Sequence, residues 1–456
     1  MEKIQRESRV PAITAEEFYN RIADADSRPV PEVLRESRPY GNEVYQVPVE
    51  RFLSKDYHLL EVENLWKRVW QMVCREEEIP KVGDVHVYEV ATLKYIVVRS
   101  APDKIKAYPN SCLHRGRQIV DCDGHVGRLR CPFHGFTWDL EGRISSIPCA
   151  WEFSHIENPE EWRLPEAKVA TWGGFVFINP DPNAEPLQNF LGDLDRHFAR
   201  YPLDERYIAG HARKVVPCNW KVAQEAFLEA YHVLETHPQL TPQGSHTDMR
   251  YDVYKNYSRT LGVYYIPNAF TGFDAGNQDI LDSVADLRLD QERVLKAKDG
   301  LTVRQQMAEM ARQGYERVTG QSSDHFADTE LIDVCFLSVF PNFHPWPLFN
   351  RICYLFRPYK DDPDRSWMDV YQLMPFDKKK GRPPAAKVRV LSEDEDWTAA
   401  PEIGVYLARI SNQDIFNLGP IQEGLKASAR KVVNYAKYQE SRIRHFHDLL
   451  GQWVGQ

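Results

Sequence analysis

Apolar and polar positions follow two different rhythms along this chain. From Gly83 to about Ile178 they alternate in short runs, such as Val85–Val90 and Tyr95–Arg99, with Gly, Asp and Pro between them. A period of two bounded by turn residues predicts a small antiparallel β region. Ahead of it, Ala15–Ala25 and Glu61–Gln71 place apolar residues at helical spacing, the latter through Leu65, Trp66, Val69 and Trp70. From near Arg200 the rhythms mix. Helical patterns cover Val222–Glu235, Val303–Arg317 and Gln413–Arg444, and strand patterns cover Leu331–Phe340, Arg351–Arg357 and Trp367–Met374. That mixture predicts an α+β region, an antiparallel sheet with helices on one face. Asp290–Arg317 reads as a helical insertion over the sheet, and residues 1–45 as a polar, proline-punctuated arm.

The 456 residues suffice for two domains. With 43% hydrophobic, 27% charged and 12% aromatic residues, the chain reads as globular. A net charge of −9 argues against nucleic-acid binding, which needs a basic face. The basic run Lys378–Arg382 precedes Pro383 and Pro384 and reads as a solvated loop between strands. No apolar stretch is long enough to span a membrane, and the opening MEKIQRESRV lacks a signal-peptide core. Eight cysteines in such a chain suggest reduced thiols or metal ligands, and a cytoplasmic protein is expected.

Two pairs of residues carry the most specific chemistry. Cys112-Leu-His114 is followed, after sixteen intervening residues, by Cys131-Pro-Phe-His134, with Gly116 and Gly135 allowing tight turns. Two thiolates on one iron and two imidazoles on another make a Rieske [2Fe–2S] centre. A structural zinc site is the competing reading, although zinc knuckles usually keep cysteines together and histidines together. The other six cysteines and His125 fit no such pattern and read as core or loop residues.

Farther on lies NWKVAQEAFLEAYHVLETHP, residues 219–238. On a helix Glu225, Glu229 and His232 would share one face. Pro238 disfavours helix at His237, which frees that side chain to turn toward His232. Two histidines and a distant carboxylate form the facial triad of non-haem Fe(II) oxygenases, although paired histidines can also be plain structural residues.

These motifs resemble the large subunits of ring-hydroxylating, Rieske-type oxygenases. LWKRVWQMVCREEEIPKVGD, NSCLHRGRQIV and CPFHGFTWDLEGRI carry the likeness over about Val62–Ile147. Respiratory Rieske proteins have an extra cysteine in each loop, where this chain has Arg117 and Phe133. Residues 219–238 and the C-terminal helical region extend the resemblance to roughly residues 45–450. It implies a small antiparallel β Rieske domain at 46–170 and a helix-grip (START-like) catalytic domain with an antiparallel sheet at 171–456. The 1–45 arm would pack on the catalytic domain. Asp414, in SNQDIFNLGPIQEGL, is implied as the iron carboxylate, with Gln422 and Gly424 matching the family helix. Glu402 and Glu423 are the alternatives. Glu229 stands where the family usually has aspartate, a residue that bridges one subunit's iron site to the cluster histidine of its neighbour. Glutamate there is similar to the branch acting on quaternary ammonium compounds, and Glu225 stands where arene dioxygenases often have asparagine.

The resemblance therefore implies an O₂-using terminal oxygenase with a Rieske cluster and mononuclear Fe(II). It would hydroxylate or dihydroxylate an apolar, aromatic small molecule, as in aromatic hydrocarbon catabolism. A monooxygenase or demethylase of quaternary ammonium or other non-arene substrates is the alternative. A Rieske electron carrier without catalytic iron and a zinc-stabilised ligand-binding protein are the rivals. No Gly-x-Gly-x-x-Gly turn and no ferredoxin cysteine set is present, so a separate NAD(P)H-dependent reductase is expected, with or without a ferredoxin. A homotrimer is expected, with or without a small β subunit. Tyr251, Tyr254, Tyr257, Tyr264, Tyr265, Phe270, Phe273, Phe340, Phe343, Trp346 and Phe349 are the aromatic candidates for a substrate pocket.

Overall fold

The computed structural model describes residues 13–244, 247–267, 275–285 and 295–455. The fold is α+β. Its small β part contains a four-stranded antiparallel sheet ordered Lys104–Pro109, Leu93–Ala101, Asp84–Val90 and Gly124–His125. A three-stranded sheet of Leu129–Arg130, Thr137–Trp138 and Ile144–Ser146 lies with it. They enclose a separate apolar core that includes Val85, Ile96, Val98, Leu129, Phe136 and Trp138, together with Cys112 and Cys131.

An eight-stranded sheet organises the rest. Its order is Arg250–Val253, Tyr257–Gly262, Val334–Val339, Phe343–Pro345, Ile352–Tyr359, Asp362–Pro375, Arg206–Val216 and Arg389–Leu391, and only the last pair is parallel. Helices Val405–Lys426 and Ser441–Val454 belong to this part. A buried charge cluster ties the two parts together. Asp369 bonds to His211, Arg213 and Arg357, and Arg357 also donates to the Glu89 carbonyl at 2.6 Å. Tyr19, Ala23, Val30 and Leu34 of the N-terminal arm pack against Leu261, Val263 and Cys335.

Three helical expectations need correction. The pattern over Glu61–Gln71 ends early. Helix Lys55–Glu61 passes through a π-turn at Val62–Trp66, and Gln71–Arg75 is a fully buried strand. The Gln71 side chain donates to the Trp66 carbonyl at 2.6 Å, satisfying the helix end from within the strand. Gln413–Arg444 splits into helix Val405–Lys426, strand Val432–Asn434 and helix Ser441–Val454. The valine pair 432–433 joins a ladder with Gln46–Pro48, and the ladder wins over helix continuation. Val222–Glu235 also breaks. Helix Trp220–Glu225 stops and a short helix, Val233–Thr236, follows. Elsewhere Leu331–Phe340 begins as helix Asp328–Ile332 before its strand. Helix Val303–Thr319 forms as expected, while Asp290, the start of the proposed insertion, lies outside the described residues. Lys378–Arg382 is an exposed turn and loop between strands.

Candidate metal centres

The two cysteine–histidine loops repeat one backbone design. The Cys112 N–H donates to the Arg117 carbonyl and the Gly116 N–H to the Cys112 carbonyl, both at 2.8 Å. Cys131 and Gly135 repeat this with Phe136 and Cys131, at 2.8 and 3.0 Å. Each glycine sits at positive φ, +75° and +78°, where a β-carbon would be strained. The loops bring the His114 and His134 rings to a centroid distance of 4.6 Å. Both cysteines are buried, His114 is half-buried and His134 is exposed.

The donor set fits a two-iron cluster. His114 Nδ1 is buried without a hydrogen-bond partner, as an imidazole nitrogen intended for a metal would be. Burial, with the charges of His134 and Arg115, holds the His114 pKa below its ordinary value, which favours the neutral ligand form. Burial pushes the Cys112 thiol up, while the N–H groups of His114 and Arg115 oppose it by favouring thiolate.

The second centre forms around the broken helix. Glu229 accepts from the Tyr231 N–H and, at 3.0 Å, from the His232 N–H, so its side chain bonds the backbone just ahead of the short helix Val233–Thr236. This local bonding competes with continuous helix and explains the break. Glu229 Oε1 also accepts from His232 Nδ1 at 2.6 Å, directing Nε2 outward. Pro238 ends the helix, leaving His237 at φ −125° and ψ 59°. His237 Nε2 then lies 2.9 Å from Asp414 Oδ1, and His232 Nε2 lies 3.6 Å from the same oxygen. The three ligand atoms fall within 4.8 Å of one another, close enough for one ion.

Asp414 lies midway along helix Val405–Lys426, not at the start of the helical region where the sequence pattern put it. Burial alone would raise its carboxyl, but hydrogen bonds from His232 and His237 outweigh burial and hold it below the ordinary value. Burial would likewise lower His232, yet the Glu229 and Asp414 carboxylates push it up to about 10. A cation bound there would have to expel that proton.

Other candidates fall elsewhere. Glu423 is exposed and paired with Lys426, and neither it nor Glu402 joins the imidazoles. Glu225 does not share a face with Glu229. It bonds to Tyr435 and His447 at 3.0 and 2.8 Å, and burial pushes its carboxyl up to about 8. Ala226, not Glu225, faces the cavity. Two amides escaped the sequence reading. Gln413 Oε1 accepts from His237 Nδ1 at 2.9 Å, and Gln239 Nε2 donates to the same oxygen at 2.7 Å.

A cavity of about 420 Å³ opens at His232, His237 and Asp414. It is mainly apolar. Of the expected aromatic residues Tyr264, Trp346 and Phe349 line it, joined by Phe227, Phe336, Tyr354 and Tyr406, which the sequence did not single out. Tyr251, Tyr254, Tyr257, Phe340 and Phe343 are buried in apolar cores, and Phe270 and Phe273 lie outside the described residues. Tyr265 packs against a neighbouring small core.

Comparison with known proteins adds family evidence. A model of the ring hydroxylating alpha subunit (catalytic domain) matches residues 194–456, and one of the Rieske [2Fe–2S] domain matches residues 69–160. The chain is similar to chlorobenzene dioxygenase subunit alpha of Cupriavidus sp. (strain PS12), at 31% identity over 191 residues. That match covers 41% of this chain and 42% of the relative. Biphenyl dioxygenase subunit alpha of Metapseudomonas furukawaii is 31% identical over 195 residues, covering 40% and 42%. The match thus spans about two fifths of each relative's length. Among solved structures, naphthalene 1,2-dioxygenase from Rhodococcus sp. bound to indole has a TM-score of 0.60 at 19% identity, covering 90% of this chain and 94% of that one. The quaternary ammonium Rieske monooxygenase CntA with L-carnitine has a TM-score of 0.62 at 16% identity, covering 90% and 96%. These two likenesses are of fold.

Proposed function

The chain belongs to the ring-hydroxylating alpha-subunit family, and from that premise we propose that it is the terminal component of a Rieske-type oxygenase acting on an apolar aromatic small molecule. The observation that carries this is the grouping of His232, His237 and Asp414 in the lining of an apolar, aromatic-lined cavity. In this reading Cys112, His114, Cys131 and His134 hold the [2Fe–2S] cluster, and His232, His237 and Asp414 hold a single Fe(II). Iron held by these two imidazoles and one carboxylate would supply the activation of O₂, the oxidant for hydroxylation or dihydroxylation. Glu229 fixes the tautomer of His232 by accepting from its Nδ1. The aromatic lining orients a flat substrate and keeps water from the reacting edge.

Electrons would come from a separate NAD(P)H-dependent reductase, with or without a ferredoxin. The working assembly would be a homotrimer, with or without a small β subunit. Among the described residues no helix is long and apolar enough to cross a membrane and no cysteines pair in a disulfide; a cytoplasmic setting is part of this proposal. A quaternary ammonium substrate is less favoured, because the two carboxylates lining the cavity, Glu229 and Asp414, are both committed to imidazoles.

Metal analysis tests the proposal. The loaded protein should contain about three irons and two acid-labile sulfides per chain, with the reduced-state EPR signal of a mixed histidine–cysteine cluster. His232→Ala should lose one iron and leave the visible spectrum intact. Zinc without sulfide, or two irons in fully loaded protein, overturns the reading.

A further inference from the structure

In a mainly apolar cavity, a free hydrogen-bond donor in the wall decides which molecules fit well. Tyr354 supplies one. It stands on the strand Ile352–Tyr359, two residues after Ile352, so the two side chains take the same face of the sheet. Ile352 pairs with Gln372 on the neighbouring strand, and Ile352, Gln372 and Tyr354 all line the cavity. The Tyr354 ring lies against two more lining residues, with centroid distances of 4.5 Å to Phe227 and 5.5 Å to Trp346.

The hydroxyl of this residue is unspent. Tyr354 is 1% exposed, yet its O–H has no hydrogen-bond partner among the described residues. Buried hydroxyls are ordinarily paired. The Trp346 indole N–H also lacks a partner but is sealed in, whereas the Tyr354 hydroxyl is not sealed and opens on the cavity that its residue lines. The amide donors nearby are spent on the backbone, Asn350 on the Asp333 and Pro347 carbonyls and Gln372 on that of Ile403. Burial, and after it the charge of Asp414, push the Tyr354 phenol well above its ordinary value. The group is therefore a neutral donor, and it lies close enough to the metal end to feel the carboxylate there. Beyond burial, Tyr264 feels Tyr406, Tyr265 and Asp333 instead, and the Tyr406 hydroxyl accepts from Gln243.

We propose that Tyr354 selects an aromatic substrate bearing a neutral oxygen acceptor, a carbonyl or an ether, which its hydroxyl holds on the side of the cavity near His232, His237 and Asp414. This deepens the oxygenase reading above and rests on it. A hydrocarbon that displaces water from the hydroxyl cannot replace the lost hydrogen bond, whereas a carbonyl or ether oxygen can. The rest of the ring then lies among Phe227, Trp346 and Ile352, where an apolar body is favoured.

Calorimetric binding to the full, metal-loaded chain tests this with two probe pairs of nearly equal shape, acetophenone against α-methylstyrene and anisole against ethylbenzene. Hydrocarbons gain more from leaving water, so the quantity read is the change in each affinity ratio between the wild type and Tyr354→Phe. The substitution removes one oxygen atom. It should weaken the ketone and the ether by roughly three- to tenfold and leave the hydrocarbons as tight or tighter, with iron and sulfide contents unchanged. Acetophenone bound to the wild type should also show its infrared carbonyl stretch lowered by the hydrogen bond, and Tyr354→Phe should reverse that shift. Unchanged ratios, or a wild-type stretch as high as in an apolar solvent, overturn the role of Tyr354 and leave the oxygenase reading standing. Failure of all four probes to bind a fully loaded protein overturns the aromatic substrate class, and this assignment falls with it.

Discussion

His237 is held from two sides. Its Nδ1–H is fixed by Gln413, and Gln413 is clamped in turn by Gln239, leaving Nε2 free beside Asp414. An acceptor on the remote nitrogen sets the tautomer and orientation of a ligating imidazole. Gln413→Leu should therefore weaken iron retention at this site by roughly 10–100-fold in a chelator titration, with the cluster spectrum unchanged. Gln413→Glu keeps the acceptor oxygen and should restore retention. Iron held as firmly by the leucine variant as by the wild type would show that His237 needs no such support. At this scale the sequence was readable where chemistry was local. His232, His237 and Pro238 stand within seven residues. Asp414 is 177 positions from His237, and no local feature marks it, so only family resemblance pointed there. Gln413 and Gln239 were silent for the same reason, because an amide acquires meaning only from what the fold sets opposite it.

Among the elements, helix Val405–Lys426 does most to shape the candidate iron site. Successive turns present Gln413 and Asp414 to His237, Asn417 to Thr236, and Gln422 to Asn219, so one helix grips both ends of the histidine segment. The Gln422 Oε1 accepts from the buried Asn219 N–H at 3.0 Å, exactly where helix Trp220–Glu225 begins, and its Nε2 donates to Asp364. Gln422→Ala strands that N–H and should cost about 1–3 kcal/mol in urea unfolding, with both metal complements retained. Unchanged stability would mean that water replaces the amide. Helical periodicity carried the histidine segment through as one helix, because pattern reports burial and not competition for backbone donors. The break at Glu229 comes from a side chain bonding its own backbone, and the early end of the Glu61–Gln71 helix comes from a strand that claims its last residues. Both are decided by tertiary context.

Over the whole molecule, the two centres sit on separate cores, and the exposed His134 has His114 and Phe133 as its ring neighbours among the described residues. No hydrogen bond or ring contact among the described residues joins His134 to Glu229. An exposed cluster histidine needs a surface to deliver its electron to, and in a cyclic, head-to-tail assembly the next chain's Glu229 side would supply it. Mixed oligomers separate this from transfer within one chain. Cys112→Ser keeps an intact iron site but lacks a cluster, and His232→Ala keeps a cluster but lacks the iron. In equal, random mixture, each surviving cluster has about an even chance of facing a neighbour with iron. With arene present, about half of the reduced clusters should then reoxidise rapidly on exposure to O₂, whereas either variant alone should show none. If transfer runs within a chain, the mixture stays as inactive as its parts, because no single chain in it carries both centres. Pre-formed homotrimers combined without exchange of subunits give the same silence, so subunits must be co-expressed and the mixing verified by mass. A rapid phase in such verified hybrids can arise only across a subunit boundary, which makes its amplitude a direct count of productive junctions.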